Sequence, residues 1–339
     1  MKKKLFLIFA LPLLLALAVG VWIFRAHVTL GEDQYPEYRV YIPTGSSYES
    51  LCDSLNKCCN CHPPIAFSLF AHLRRLPDHI KGGSYLIQDG MTVLQLVNKL
   101  NSGAQDAINI TINKHRTPQQ LCNFLGQKLE FPADSLLVLM QDSSVCASYG
   151  ETPQTMLGLF PQNTYQVYWT TSPRKLLDRM KQESDRFWDS RQKALQALNL
   201  SRQQVIILAS IVEEETNAND EKADIASVYL NRLRLAMPLQ ADPTVKYAIG
   251  DFTIRRILTH MLQTDSPYNT YLHRGLPPGP ICIPSVSSID AVLKNKKTDY
   301  LYFCAKEDFS GKHNFSSTLA EHQRNAARFH KALNEKQIR

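Results

Sequence analysis

The chain has 339 residues, more than one ordinary domain holds, and 44% of them are hydrophobic, enough for a sizeable core. Its formal net charge is +7, but Lys2, Lys3, Lys4 and Arg25 crowd the N-terminus, and without them the remainder carries +3. That balance excludes the footprint of a nucleic-acid binder, and Gly-rich phosphate loops are absent. The length suits two domains behind a targeting segment.

Between those charges lie twenty mostly apolar residues, Leu5 to Phe24. That length spans a bilayer, and the lysine cluster favours a cytoplasmic N-terminus with the bulk of the chain across the membrane. Ala16-Leu17-Ala18 has the small-x-small form of a cleavage site, so a cleaved signal peptide competes. The continuation through Val21, Trp22, Ile23 and Phe24 favours an uncleaved anchor over residues 1–25, and either reading exports the chain.

Eight cysteines, at 52, 58, 59, 61, 122, 146, 282 and 304, are many for an exported domain. Cys58, Cys59, Cys61 and His62 lie close together, but their spacing fits no standard zinc pattern and no second ligand pair is near. A disulfide among Cys52, Cys58, Cys59 and Cys61 is the expectation in an oxidising compartment, with the pair left open. His260, His273 and His313 are too scattered to form a metal set. Neither a metal nor a cofactor is expected.

Tyr38 to Ile42 alternates as a strand, and Ser47 to Asn56 and Ala66 to Arg75 carry helical spacing. Gly83 to Gln88 reads as a strand and Val93 to Leu100 as a helix closed by Gly103. Ile108 to Lys114 reads as a further strand, and Thr117-Pro118 opens a helix, since proline is tolerated in the first turn. Helices follow at 134–141 and 173–198. Near the end, Tyr300 to Ala305 and His313 to Phe315 read as a hairpin around Ser310-Gly311, and a helix from Thr318 to about Lys331 closes the chain.

The stretch from Ile206 to Thr244 carries the chemistry. A helix there places Glu215 one turn beyond Ile211 and Val212 and two beyond Leu208, so a row of apolar side chains runs into a carboxylate. Desolvation disfavours the charged form and makes a glutamate a proton donor near neutral pH. Three glutamates ending a helix also suit a solvated face, and the helical wheel alone does not choose among Glu213, Glu214 and Glu215. Asn219 or Asp220 then caps a second helix with apolar positions Ile225, Val228, Tyr229 and Leu233, followed by a loop holding Pro238 and Pro243. The two helices hold Glu215, Asn231, Arg232, Gln240 and Asp242 within one compact region. No motif places a Ser/His/Asp triad.

Three segments, ASIVEEET at 209–216, ASVYLNRLRLAMPLQADPTVKYAIGD at 226–251 and YNTYLHRGLPPGPICIPS at 268–285, resemble the YceG-like endolytic murein transglycosylases. The resemblance runs roughly over residues 30–335. It implies that Glu215, the second glutamate of a Glu-x-Glu-Thr string, is the catalytic acid; this chain departs by carrying Glu214 between the two. Most glycosidases use two carboxylates. The resemblance instead implies a one-acid reaction in which Glu215 protonates the glycosidic oxygen and the sugar's own 6-hydroxyl closes on C1.

Around that acid, Asn231, Gln240, Tyr268 and Asn269 offer neutral donors and acceptors for hydroxyl and N-acetyl groups, and Tyr271 offers a face for stacking. Asp242 is the nearest second carboxylate, or holds its loop before Pro243. Gly275 to Pro280 is a stiff turn suited to a cleft wall. The segment GSYLIQDGMTVLQLVNKLNSG resembles the family's LysM-like module, which binds glycan or only positions the enzyme. Gly158 to Tyr165 resembles a segment bordering the cleft, though its aromatic residues suit a core as well.

The expected fold is α+β: an anchor at 1–25, a small LysM-like αβ subdomain at 26–105 and a larger α+β catalytic domain at 106–339. The expected activity is endolytic cleavage of the MurNAc–GlcNAc bond in peptidoglycan, leaving 1,6-anhydro ends and terminating nascent strands. A hydrolytic muramidase and a noncatalytic peptidoglycan-binding scaffold are the rivals. The expected partners are glycan strands, the cytoplasmic membrane and cell-wall synthases, with no nucleic acid.

Overall fold

The computed structural model describes residues 18–254 and 256–336 as a mixed α+β chain. The apolar segment from Leu5 to Phe24 lies largely outside these residues. Among the described residues, no helix is long and apolar enough to cross a membrane. The chain divides into two compact units, one of residues 1–110, 128–131 and 166–172, the other of 111–127, 132–165 and 173–339.

In the first unit, β1 (His27–Leu30) pairs antiparallel with β3 (Cys59–His62), and β2 (Glu37–Ile42) with β4 (Gly83–Gln88). Val40 and Ile42 point inward and Tyr41 outward, the alternation of a half-buried strand. Helices α1 (Tyr48–Asn56), α2 (Ile65–Leu73) and α3 (Val93–Ser102) supply Leu51, Phe70 and Leu96 to the same core. Thr92 and Gln95 form a reciprocal cap on α3, and Gly103 ends it at φ 70°, a left-handed conformation that costs glycine least.

The cysteine-rich run is strand β3, which the sequence pattern does not show. All eight cysteines are unpaired, against the expected disulfide. Cys59 and Cys61 are next-but-one neighbours on a strand, about 6.5–7 Å apart at Cα and at the limit of disulfide reach. The thiols of Cys58 and Cys59 both donate to the Leu55 carbonyl, at 3.2 and 3.4 Å.

Strands β5 (Ile108–Ile112) and β6 (Asn163–Val167) each run across the division between units. In the second unit follow α4 (Pro118–Lys128), but for its last residue, α5 (Ala133–Gln141) and α6 (Ser143–Ser148). The helix expected at 173–198 is two, α7 (Pro173–Asp189) and α8 (Gln192–Leu198). Arg191 marks the break: its guanidinium sits 3.9 Å from the Phe187 ring centroid, donates to the Phe187 carbonyl and pairs with Asp290 at 2.7 Å.

At the centre lies α9 (Arg202–Glu215), capped reciprocally by Ser201 and Gln204 and buried at every position from Val205 to Val212. A helix apolar all round belongs inside a core. Against it pack α10 (Lys222–Arg234) and α12 (Val286–Leu293), with α11 (Asp242–Ile249) alongside. The hairpin of β7 (Tyr302–Ala305) and β8 (His313–Ser316) and the last helix, α13 (Leu319–Glu335), complete the unit.

Neither Asn219 nor Asp220 caps α10, which starts behind Glu221 with no side-chain cap. Asp220 is held by Lys312 at 2.7 Å, and the Glu221 carboxylate takes the His313 backbone N–H and ring Nδ1. The stretch read as a loop around Pro243 is in part helix α11, with Asp242 and Pro243 in its first turn.

Candidate active site

Three successive carboxylates end α9, where the helix dipole is negative and disfavours them. Each meets a different answer. Glu213 takes Lys222 at 3.1 Å, with Ser285 and Ser288 donating at 2.5 Å each, and these partners overcome its burial and hold its carboxyl below the usual range. Glu214 takes a two-pronged contact from Arg116, at 3.2 and 2.9 Å, and Lys114 at 3.2 Å. Glu215 has no ion pair among the described residues; its Oε1 accepts from the Tyr229 hydroxyl at 2.5 Å.

Burial pushes the Glu215 carboxyl up to about 7. The Tyr229 hydrogen bond opposes the rise, and the nearby negative charge of Asp242 reinforces it. Protein surrounds Glu215 except toward a cavity of about 300 Å³, so the carboxyl keeps part of its solvent access while losing most of its solvation. An acid with that balance is protonated near neutrality and can give its proton to a group in the cavity.

The cavity is lined by Glu215, Tyr229, Arg232, Leu239, Gln240, Asp242, Tyr271, Phe303 and His322. Tyr229 and Arg232 stand one turn apart on α10, so one helix face delivers both. Arg232 donates to the Leu301 carbonyl at 2.7 Å and the Leu239 carbonyl at 2.8 Å, joining the loop before α11 to the hairpin. Burial lowers the pKa of its guanidinium. Gln240 sits at φ 53° and gives its side-chain oxygen to Arg232 at 3.3 Å. Asp242 accepts from the Tyr271 hydroxyl at 2.6 Å, which fixes both groups at the cavity wall.

Of the residues read from the sequence, the fold brings Glu215, Gln240, Asp242 and Tyr271 together. Asn231, Tyr268 and Asn269 do not line the cavity. The Asn231 amide donates to the Thr298 and Tyr300 carbonyls at 2.9 and 2.8 Å and accepts from Arg234, so its hydrogen-bonding capacity goes to the chain before β7. Asn269 is fully buried and donates to the Leu262 and Thr264 carbonyls at 2.9 Å each. It accepts from the Tyr271 backbone N–H at 3.0 Å and so sets the start of Tyr271. The Tyr268 ring lies 4.6 Å from that of Tyr247, and its hydroxyl lies 2.9 Å from where a Cβ on Gly279 would stand. Tyr268 thus braces the stiff turn from behind. The two aromatic residues of Gly158 to Tyr165, Phe160 and Tyr165, are buried in the core, and Gly158 lies against Ile206.

Two cavity residues carry no signal in the helix-spacing pattern. Phe303 comes from β7 and His322 from α13, and nothing in their own segments marks them. Size does not mark the site either. A cavity of about 390 Å³ in the first unit is lined by Tyr48, Cys52, Cys59, Cys61 and Phe67 among others, with no carboxylate.

The cavity thus sets a carboxyl raised to about 7, with no ion pair among the described residues, among polar side chains in an α+β fold, the arrangement general acid–base chemistry calls for. The chain belongs to the YceG-like family, which matches residues 40–328. It is 30% identical over 321 residues to the endolytic murein transglycosylase of Bacillus subtilis, covering 90% of this chain and 88% of that protein. It is 28% identical over 319 residues to the protein of that name from Streptococcus pneumoniae, covering 85% of this chain and 57% of that protein. The chain therefore spans little more than half of the pneumococcal relative. A crystal structure of a yceG-like protein from Listeria monocytogenes aligns with a TM-score of 0.57 at 30% identity, over 85% of this chain and 98% of that one.

Proposed function

We propose that the chain is a lytic transglycosylase that cuts peptidoglycan glycan strands internally, with Glu215 as its general acid and then its base. The observation that carries this reading is that, of the three carboxylates at the end of α9, Glu215 alone has no ion pair among the described residues. It is the proton donor among them.

In the reaction, Glu215 gives its proton to the glycosidic oxygen as the bond to C1 breaks. The leaving sugar departs with a free hydroxyl. The 6-hydroxyl of the muramic residue closes on C1, and its proton passes to the Glu215 carboxylate, which regenerates the acid. No water is consumed. The internal nucleophile is tethered, an advantage worth effective molarities of up to about 10⁵ M or more. A second carboxylate is then unnecessary, and Asp242, engaged by Tyr271, serves as a polar wall and as a negative neighbour that adds to the effect of burial on Glu215.

Digestion of purified, uncrosslinked glycan strands with mass analysis of the products tests this. Internal cuts leaving 1,6-anhydro-muramic ends are expected. Reducing ends as the main product would mean water is the nucleophile and would favour a muramidase, whereas strands bound but uncut would favour a scaffold.

The placement in the cell belongs to the same proposal and rests on sequence. Leu5 to Phe24 is long and apolar enough to span the cytoplasmic membrane, Lys2 to Lys4 stay inside, and the enzyme faces the wall. A reporter fused after Arg339 is expected to be active only on the outer side. Residues 26–105 serve as the LysM-like part, and cell-wall synthases are the candidate protein partners where nascent strands are to be terminated.

A further inference from the structure

His322 is a cavity residue whose hydrogen bonding is unresolved by the protein itself. Its ring lies 5.3 Å from the Tyr302 ring, nearly parallel at 22°, and that stacking fixes its plane. Nδ1 is sealed from solvent with no hydrogen-bond partner. The ring nonetheless borders the cavity that holds Glu215, so Nε2 is the nitrogen left to act there. A sealed N–H without an acceptor is rarer in proteins than a sealed lone pair without a donor. The bare nitrogen is therefore Nδ1, and the proton sits on Nε2.

We propose that His322 is a specificity-determining residue whose Nε2–H donates to the carbonyl oxygen of a 2-acetamido group on the bound glycan. The inference rests on the transglycosylase reading above and deepens it. A neutral N–H suits an amide carbonyl, an uncharged acceptor. The two influences on the imidazole agree: burial and the Arg232 cation both disfavour its protonated form, so it enters the cavity as a neutral donor. The Arg232 guanidinium, 5.3 Å from the Tyr302 ring, adds positive potential where a carbonyl oxygen would lie. The position also explains why a histidine stands on this face of α13. Any flat ring could stack on Tyr302, but only a ring with a donor would serve the cavity.

The test uses the full chain, with kcat and KM measured on N-acetylated glycan strands and on the same strands after chemical de-N-acetylation. His322→Phe keeps the stacking and removes the donor. It is expected to raise KM and lower kcat/KM about tenfold on N-acetylated strands, the scale of one hydrogen bond whose partner is left unmet. His322→Gln, whose amide nitrogen reaches nearly as far as Nε2, is expected to restore most of the loss, and His322→Asn, which falls short, is not.

On de-N-acetylated strands the wild type should fall while the penalty of His322→Phe disappears, because both changes remove one contact. The proposal is overturned if His322→Phe matches the wild type, or if its loss multiplies with that of de-N-acetylation. Should His322→Phe fail to fold, the Gln and Asn variants decide: equal activity on N-acetylated strands overturns it. Failure of the transglycosylase reading would look different, since the wild type would then leave N-acetylated strands uncut or end them in reducing sugars.

Discussion

Glu213 and Glu215 leave the same helix two residues apart and meet opposite surroundings. Glu213 points to the start of α12, where Lys222, Ser285 and Ser288 converge on one of its oxygens. Glu215 points into a cavity, with a tyrosine hydroxyl as its hydrogen-bond partner. Both carboxylates are taken from water; one is compensated and held below the usual carboxyl range, the other has no ion pair among the described residues and is raised to about 7. Burial alone therefore does not make a catalytic carboxylate. What matters is whether the fold supplies a cation along with it, and here it does so for two of three neighbours.

The sharpest way to break this contrast is Glu215→Gln, which keeps the shape and removes the transferable proton. Glycan cleavage should fall by about 10²–10⁴-fold, the usual worth of a positioned acid–base group, with the far-ultraviolet circular dichroism unchanged. If Glu214→Gln were the inactive variant and Glu215→Gln the active one, the assignment of the acid would be wrong.

Glu213→Ala should reverse the pattern. It strands Lys222, whose side chain is 5% exposed, without its anion, and removing one partner of a buried pair costs about 3 kcal/mol or more. The expected result is a lower denaturant midpoint at unchanged slope, with kcat of the folded fraction close to that of wild type.

The pH dependence of Glu215 offers a third handle. Its carboxyl rises from 4.5 to about 7 on folding, so the native state favours the protonated form. The stability this group lends is fully present below pH 4.5 and is lost progressively as pH climbs through about 7. At about 1.4 kcal/mol per unit the loss reaches roughly 3 kcal/mol. Glu215→Gln escapes it, so the variant should gain on the wild type between those pH values in paired denaturation curves, and the difference should level off above them. In activity, kcat/KM of the wild type should decline above about pH 7 as the acid deprotonates.

The smallest expected effects are shifts of that alkaline limb. Tyr229→Phe removes the hydrogen bond that favours the carboxylate, and the limb should move to higher pH. Asp242→Asn removes a negative neighbour that opposes ionisation, and the limb should move to lower pH. Limbs moving together, or the reverse pair of shifts, would show that these neighbours do not set the acidity of Glu215.

Much of this was legible in the chain itself. The helix from Val93 closed by Gly103 and the hairpin around Ser310-Gly311 follow from spacing within their own segments, and the alternation from Tyr38 to Ile42 sets which face of β2 is buried. The apolar helix running into carboxylates was a local signal, but it did not choose among Glu213, Glu214 and Glu215; only the resemblance of the Glu-x-Glu-Thr string pointed to Glu215.

The rest depended on residues remote in sequence. That Glu213 and Glu214 are neutralised and Glu215 is not follows from where Ser285, Lys114 and Arg116 arrive in space. Spacing cannot show it, because an ion pair depends on distance after folding. Asn231, Tyr268 and Asn269 have the chemistry to bind a sugar, yet the tertiary structure spends them on backbone carbonyls and on the back of a turn, since polar groups buried beside irregular chain must satisfy it. Phe303 and His322 reach the cavity only because β7 packs on α10 and the terminal helix packs on the β7–β8 hairpin. Local sequence sets which groups are available; packing decides which are left free to react.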